Sequence, residues 1–180
     1  MKKLTIINAS PRRNGATAQL IDLFIKNCNC KAIKYNIFDC SIAPCIGCDS
    51  CFKTGRCIYN DDEDVIVQNV LSSDYVVFAT PIYCYSFPAP MKAFLDRLQP
   101  YYSDEKYRNP TFTRKGFVLA SCGKSGKFGI DVLEKQSRVA FIELAASYEG
   151  MFLFNGTDSR DALTDEEKEQ LRQMAAEFFD

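Results

Sequence analysis

Short β-type runs alternate with helix-type patterns along the whole of this chain, and that alternation is the strongest constraint on its fold. Leu4 to Asn8, Ala32 to Phe38, Tyr75 to Ala79, Phe117 to Ala120 and Met151 to Phe154 read as five strands. Helical spacing predicts helices over Thr17 to Cys28, Asp61 to about Leu71, Ala89 to Leu98 and Phe128 to Leu144. A last helix starts at Thr164, where Thr164 and Glu167 have capping-box spacing and Leu171, Met174, Ala175 and Phe178 form an apolar stripe. The expected fold is therefore α/β, a doubly wound five-stranded parallel sheet with helices on both faces. With no repeat and no linker, residues 1–180 are expected to form one domain. Right-handed crossovers then bring ligands to the carboxyl ends of the strands, near the switch in strand order.

Composition narrows the function classes. A formal charge of -1 supplies no basic field for nucleic acid or an anionic membrane, so neither is expected as a partner. No apolar run approaches the roughly 20 residues of a membrane span, and the N-terminus lacks a signal-peptide core, which predicts a cytoplasmic protein. The chain has no histidine, the commonest general base and metal ligand. Chemistry must come from carboxylates, thiols, tyrosines or a bound cofactor. Nine cysteines, an odd number, are read in a reducing compartment as free thiols rather than a disulfide framework.

Three loops that follow strands are unusual. Asn8-Ala9-Ser10-Pro11-Arg12-Arg13-Asn14-Gly15-Ala16-Thr17 joins a strand to a helix and is rich in donors. Backbone N–H groups at the helix start, with the Ser10, Asn14 and Thr17 side chains, suit a phosphate dianion, and Arg12 or Arg13 adds charge. The plain alternative is a strand-to-helix turn with an N-cap. The loop matches neither a P-loop nor the glycine fingerprint of a dinucleotide site, so a mononucleotide suits it better. Thr80 to Pro90 carries Pro81, Pro88 and Pro90 for stiffness and Tyr83, Tyr85 and Phe87 as flat apolar surface, for a planar ring or for the core. Ser121-Cys122-Gly123-Lys124-Ser125-Gly126 is small enough for close approach to a ligand, or is a plain turn. Together the three loops fit flavin mononucleotide, FMN.

The first loop resembles the phosphate loop of the NADPH-dependent FMN reductase family of flavodoxin-like proteins. Thr80-Pro81-Ile82-Tyr83 with Ser86, Pro88, Ala89, Met91, Lys92, Ala93, Phe94, Asp96 and Arg97 resembles that family's second signature. The resemblance spans almost the whole chain and implies a flavodoxin-like sheet. It implies a cofactor site formed by Ser10, Arg12, Asn14, Gly15, Ala16 and Thr17 around the phosphate. Pro81, Ile82, Tyr83, Cys84, Tyr85 and Ser86, with Ser121, Cys122 and Gly123, would lie against the ring. Ala16 departs from the family, where a polar residue is frequent, and removes one side-chain donor. The family is usually dimeric, which implies a homodimer or higher homo-oligomer.

Between the second strand and the next helix, Cys45, Cys48, Cys51 and Cys57 form a C-x2-C-x2-C-x5-C pattern. Thiolates this close in sequence can wrap an iron–sulfur cluster, whereas a structural zinc site usually has two pairs with a longer gap. The pattern resembles the iron–sulfur flavoprotein branch of the same family, implying a 4Fe-4S cluster near FMN. Free thiols in a substrate loop are the competing reading. Cys28, Cys30, Cys40, Cys84 and Cys122 are read as small buried residues.

The function expected is an FMN-dependent oxidoreductase with NAD(P)H as co-substrate, passing electrons to a quinone or another small acceptor. No catalytic side chain is assigned, since the chemistry lies on FMN. The first alternative is an iron–sulfur flavoprotein electron carrier exchanging electrons with ferredoxin. The second is a non-enzymatic metal- or redox-sensing module. The aromatic connection over Gln99 to Lys115, with Tyr101, Tyr102, Tyr107 and Phe112, is expected to cover the flavin, meet a neighbouring subunit or pack on the core.

Overall fold

The computed structural model describes residues 1–26 and 28–180, with the side chains at 104, 107 and 125–127 outside the description. Tyr107 of the aromatic connection and Ser125 of the third loop fall among those side chains. Five strands, β1 (Lys3–Asn8), β2 (Lys31–Asn36), β3 (Tyr75–Pro81), β4 (Arg114–Cys122) and β5 (Ala146–Asn155), form one parallel sheet. Its order is β2-β1-β3-β4-β5. This is the flavodoxin-like arrangement, and strand order reverses between β1 and β3. The helices of eight or more residues are α1 (Ala16–Ile25), α3 (Asp62–Leu71), α4 (Ala89–Asp96), α6 (Ile130–Glu143) and α7 (Asp165–Phe179). Two five-residue helices, α2 (Ser50–Thr54) and α5 (Asp104–Arg108), lie in segments expected to be irregular.

β3 is the central strand, and its run of Tyr75 to Thr80 is buried on both faces, which is why it reads as continuously apolar. Each face of the sheet has its own core. On one, Leu20, Ile21 and Phe24 of α1 and Leu171, Ala175 and Phe178 of α7 cover Leu4, Ile6, Val77 and Phe117. On the other, α3, α4 and α6 bring Ile66, Val70, Met91, Phe94, Leu133 and Phe141 onto Ile7, Val76, Phe78 and Val118. Phe24 stacks on Phe117 at 4.8 Å and Phe78 on Phe141 at 4.4 Å between ring centroids. Each such ring contributes about 1.5–3 kcal/mol by leaving water. The α7 capping box forms as its sequence predicts, with reciprocal Thr164–Glu167 bonds.

Several boundaries differ from expectation. α1 stops at Ile25, short of Cys28, and Cys28 is joined to Cys30 by a disulfide in the turn to β2. Their Cα atoms are 5.4 Å apart, within reach of a bond, so these two are not the separate thiols expected. Of the other three cysteines read as buried, only Cys122 is; Cys40 is half-buried and Cys84 exposed. α4 ends at Asp96, which turns Arg97 and Leu98 inward, and both are fully buried. α6 begins at Ile130, after a 3₁₀ turn over Lys124–Gly129. No helix among the described residues is long and apolar enough to cross a membrane.

Candidate functional site

At the carboxyl edge of the sheet, beside the β1/β3 reversal, lies a cavity of about 550 Å³. Its size falls within the roughly 300–1,000 Å³ of cofactor pockets. The β1–α1 loop enters it through a chain of local bonds. The Ser10 amide donates to Asn8 Oδ1, the Arg12 amide to Ser10 Oγ, and the Gly15 amide to the Arg12 carbonyl. Ser10, Arg12, Asn14, Gly15, Ala16 and Thr17 all line the cavity. α1 then starts with Gly15 as an N-cap that offers no side-chain acceptor, and its first turn carries no acid. The other helices with strong start signals differ. α3 is capped by Asp61 and α7 by Thr164, and each has three acids in its first turn. The N-terminus of α1 thus keeps its N–H groups and its positive dipole end for an external anion.

Two details depart from the simplest picture of that loop. Arg13 binds both oxygens of Asp39 at 2.9 and 2.8 Å and is absent from the cavity lining, which leaves Arg12 as the loop's cation there. The hydroxyls of Thr17 and Ser121 bond each other at 2.9 Å, tying α1 to β4 beneath the cavity.

The β3–α4 loop contributes Pro81, Ile82 and Tyr83, with the Ile82 amide held by the Ser121 carbonyl. Tyr83 and Ser86 then exchange backbone bonds, closing a two-residue turn. Its tip residues Cys84 and Tyr85 have φ of 48° and 62°, the left-handed values such a turn needs. The turn carries Cys84, Tyr85 and Ser86 outside the cavity lining, and the Ser86 hydroxyl donates to Gln136 Oε1 of α6. Phe87 packs edge-on against Phe78 in the core. From the third loop, Ser121, Cys122 and Gly123 reach the cavity. Burial pushes the Cys122 thiol up from its ordinary value, and its sulfur donates to Asn155 Oδ1.

A fourth loop was missed by the sequence reading. Thr157, Asp158, Arg160 and Asp161, between β5 and α7, line the same cavity together with Gln19 of α1. Gln19 donates to the Asp161 carbonyl, and Arg160 is held by Glu167 and the Asn155 carbonyl. The available signal was positional, since β5 also ends at the carboxyl edge and is followed by the polar run Gly156-Thr157-Asp158.

The four motif cysteines gather elsewhere. Cys45, Cys48, Cys51 and Cys57 are free thiols lining a second cavity of about 330 Å³, together with Ile46, Phe52, Tyr59 and Arg97. The two cavities share no lining residue. Among the described residues no three histidine, cysteine or carboxylate groups stand close enough to hold a metal ion. The donor set, four thiols around one cavity, fits a multinuclear sulfur-ligated centre, which spreads its ligands around itself, better than a single ion.

Arg97 joins this cavity to α3. Its Nη1 pairs with Asp61 Oδ2 at 2.5 Å, and its Nη2 lies 2.6 Å from Glu63 Oε2. Burial works against the guanidinium charge, but the Asp61 hydrogen bond and the fields of Glu63, Asp61 and Cys57 hold its pKa above the ordinary value. Burial likewise opposes charge on Asp61, yet Arg97 and the backbone amides of Ala43 and Glu63 keep it below the usual range. Glu63 responds oppositely. Burial pushes it up to about 8, only partly offset by Arg97, and Asp61 and Asp64 add to the rise. One guanidinium thus serves one ionised carboxylate, and Glu63 is protonated at neutral pH.

A pH signature follows. Between about pH 4.5 and 8 the folded state holds the Glu63 proton and the unfolded state does not, so stability falls as pH rises through this window. Glu63→Gln is expected to abolish that fall, gaining on the wild type by up to about 5 kcal/mol by pH 8 at roughly 1.4 kcal/mol per unit. Urea denaturation at both ends of the window measures it. Parallel curves for the two proteins would sink the assignment.

Comparison with known proteins places the chain. The NADPH-dependent FMN reductase family matches residues 2–155. An iron–sulfur flavoprotein of Clostridioides difficile is 36% identical over 131 residues, covering 69% of this chain and 58% of that protein. One from Archaeoglobus fulgidus is 36% identical over 104 residues, covering 56% and 47%. The chain therefore spans about half the length of these relatives. An FMN-dependent NADH-azoreductase of Bacillus anthracis, solved with FMN, superposes with a TM-score of 0.72 over 99% of this chain and 100% of that one. At 17% identity, that likeness bears on the fold. With the family signature running from the first strand to the last, the chain belongs to the NADPH-dependent FMN reductase family.

Proposed function

We propose that residues 1–180 form one FMN-binding domain of a cytoplasmic oxidoreductase, which takes electrons from NAD(P)H and passes them to a quinone or another small acceptor. The observation that carries this reading is the uncapped, acid-free start of α1 at the floor of a cavity beside the strand-order reversal. FMN, when bound, supplies the two-electron chemistry linking NAD(P)H to the acceptor. The chain's own residues do the holding. The α1 amides, with Arg12, take the phosphate. Gly123 lets backbone approach the cofactor closely, although its Cβ position is already limited by Asp158 at 3.1 Å. Tyr83, 44% exposed at the rim, offers an aromatic face to a second planar ring. A homo-oligomer is proposed because Tyr83 and Tyr85 leave large rings exposed on the turn that leads from the cavity wall.

The test compares FMN with riboflavin, which lacks the phosphate. Arg12→Ala is expected to weaken FMN about tenfold, one charge-assisted contact of roughly 1.5 kcal/mol, while leaving riboflavin unchanged. Equal weakening of both ligands would remove the phosphate from this loop. Failure of the purified protein to take up either flavin would end the reading altogether.

A second reading is favoured by one observation, the convergence of Cys45, Cys48, Cys51 and Cys57 on a single cavity. In it the protein is an iron–sulfur flavoprotein electron carrier, with a 4Fe-4S cluster on those thiols and ferredoxin as partner. Iron, acid-labile sulfide and flavin measured on one anaerobic preparation separate the two. Flavin alone supports the reductase, and flavin with stoichiometric iron and sulfide supports the carrier. Protein that binds FMN and ignores metals and oxidants excludes a sensing module.

A further inference from the structure

Arg97 has donors that neither the fold nor the flavin site uses. Its side chain is 0% exposed and lines the cysteine cavity. Nη1 donates to the Ala43 carbonyl at 3.2 Å and to Asp61 Oδ2, and the Ala43 amide also donates to Asp61 Oδ2. Ala43 and Asp61 are the two ends of the segment that carries the four motif cysteines, so these bonds close that loop at its neck. Nη2 lies beside Glu63 Oε2 without hydrogen-bond alignment, and Nε and Nη2 have no hydrogen-bond partner among the described residues. Tyr59, also on the cavity wall, has its ring centroid 5.1 Å from the guanidinium carbon.

A buried guanidinium with unspent N–H groups is costly unless another acceptor completes it. Arg97 also borders a neighbouring cavity that holds Glu63, but the cysteine cavity is the one that offers four thiols, and metal-bound thiolates and sulfides are anionic acceptors. We propose that Arg97 is the positioning residue of a sulfur-ligated iron centre on Cys45, Cys48, Cys51 and Cys57, closing the ligand loop and donating its free N–H groups to the sulfurs. This rests on the iron–sulfur reading above. Outer hydrogen bonds and a buried cation both favour the more negative, reduced form of such a centre, so Arg97 raises its reduction potential.

The test is anaerobic reconstitution of FMN-loaded protein with ferrous iron and sulfide. Retained iron and sulfide, resistance to a chelator and the midpoint potential of the centre are then measured. Two variants are needed. Arg97→Lys keeps the charge and loses the planar fork. The combined Arg97→Met, Asp61→Asn, Glu63→Gln variant removes the charges together and so avoids stranding a buried carboxylate. FMN uptake reports folding, because the flavin cavity shares no lining residue with the cysteine cavity. The expected result is normal FMN uptake, iron held about 10–100-fold more weakly in both variants, and a lowered potential in any centre that remains. Wild-type affinity and potential in flavin-loaded variants would overturn the role of Arg97 alone. Loss of FMN uptake in both variants would overturn it too, since the residue would then serve the fold. A wild type that retains no iron or sulfide would overturn the iron–sulfur reading itself.

Discussion

Arg97→Ala is expected to destabilise the folded protein by about 3–5 kcal/mol, the largest loss of stability of any single substitution considered. The reason is the carboxylate left behind. Asp61 is ionised in the folded state and nearly buried, and the guanidinium is its only cationic partner given by the ion pairs among the described residues. Without it the charge keeps two backbone amides, those of Ala43 and Glu63, and loses its counter-ion. Glu63 adds less to the loss, since it is already protonated at neutral pH. The cost should therefore be recovered in part by Asp61→Asn on the Arg97→Ala background, and far less by Glu63→Gln. Urea denaturation of the three proteins at neutral pH makes the comparison. Equal rescue by the two amides would show that the charge is shared between the carboxylates.

The second large effect is expected at Gly129, just before α6. A Cβ there would meet the backbone of Tyr85, at 2.5 Å from Cα, 2.8 Å from O and 2.9 Å from the carbonyl carbon. Backbone cannot rotate aside as a side chain can, so Gly129→Ala must displace the Tyr83–Ser86 turn or the start of α6. That turn already holds Cys84 and Tyr85 at positive φ and leads directly from Pro81, Ile82 and Tyr83 on the cavity wall. Overpacking of this kind costs about 1–3 kcal/mol. Because the strain falls on the cavity wall, FMN is expected to bind about tenfold or more weakly, roughly 1.4 kcal/mol or above. Gly116→Ala is the control. Its Cβ would press on the ring of Phe141 at 2.9 Å, in the core and away from the cavity, so it should lose stability with little change in FMN affinity. If both variants weakened FMN equally, the Gly129 contact would have no specific bearing on the site.

Local patterns determined a good deal of this protein. Five strands, their alternation with helices and the α7 capping box were legible because each depends on neighbours a few residues apart. So was the gathering of the first, third and fourth strand loops at one edge, which follows from parallel strands and one crossover hand. The phosphate-loop pattern and the cysteine spacing were plain in the chain for the same reason. Side-chain directions within loops were not. Tyr83 and Tyr85 look equivalent in sequence, yet a two-residue turn puts the first in the cavity wall and the second outside it. That choice is made by Gly129 and Gln136, more than 40 residues along the chain.

The same holds for charge. In the sequence Arg97 stands only as a signature residue near the end of the helix expected over Ala89 to Leu98. Only the packing of α4 beside α3 brings it to Asp61 and Glu63 at the neck of the cysteine loop, where Arg97 and Glu63 are buried and Asp61 is partly exposed. The β5–α7 loop joins the cavity at the carboxyl edge by way of Gln19, which lies 142 residues from its partner Asp161. Periodicity encodes which face of an element leaves water. Which loop atoms meet, and which charges share a dry site, depends on contacts between distant segments, and these exist only once the two cores have closed on the sheet.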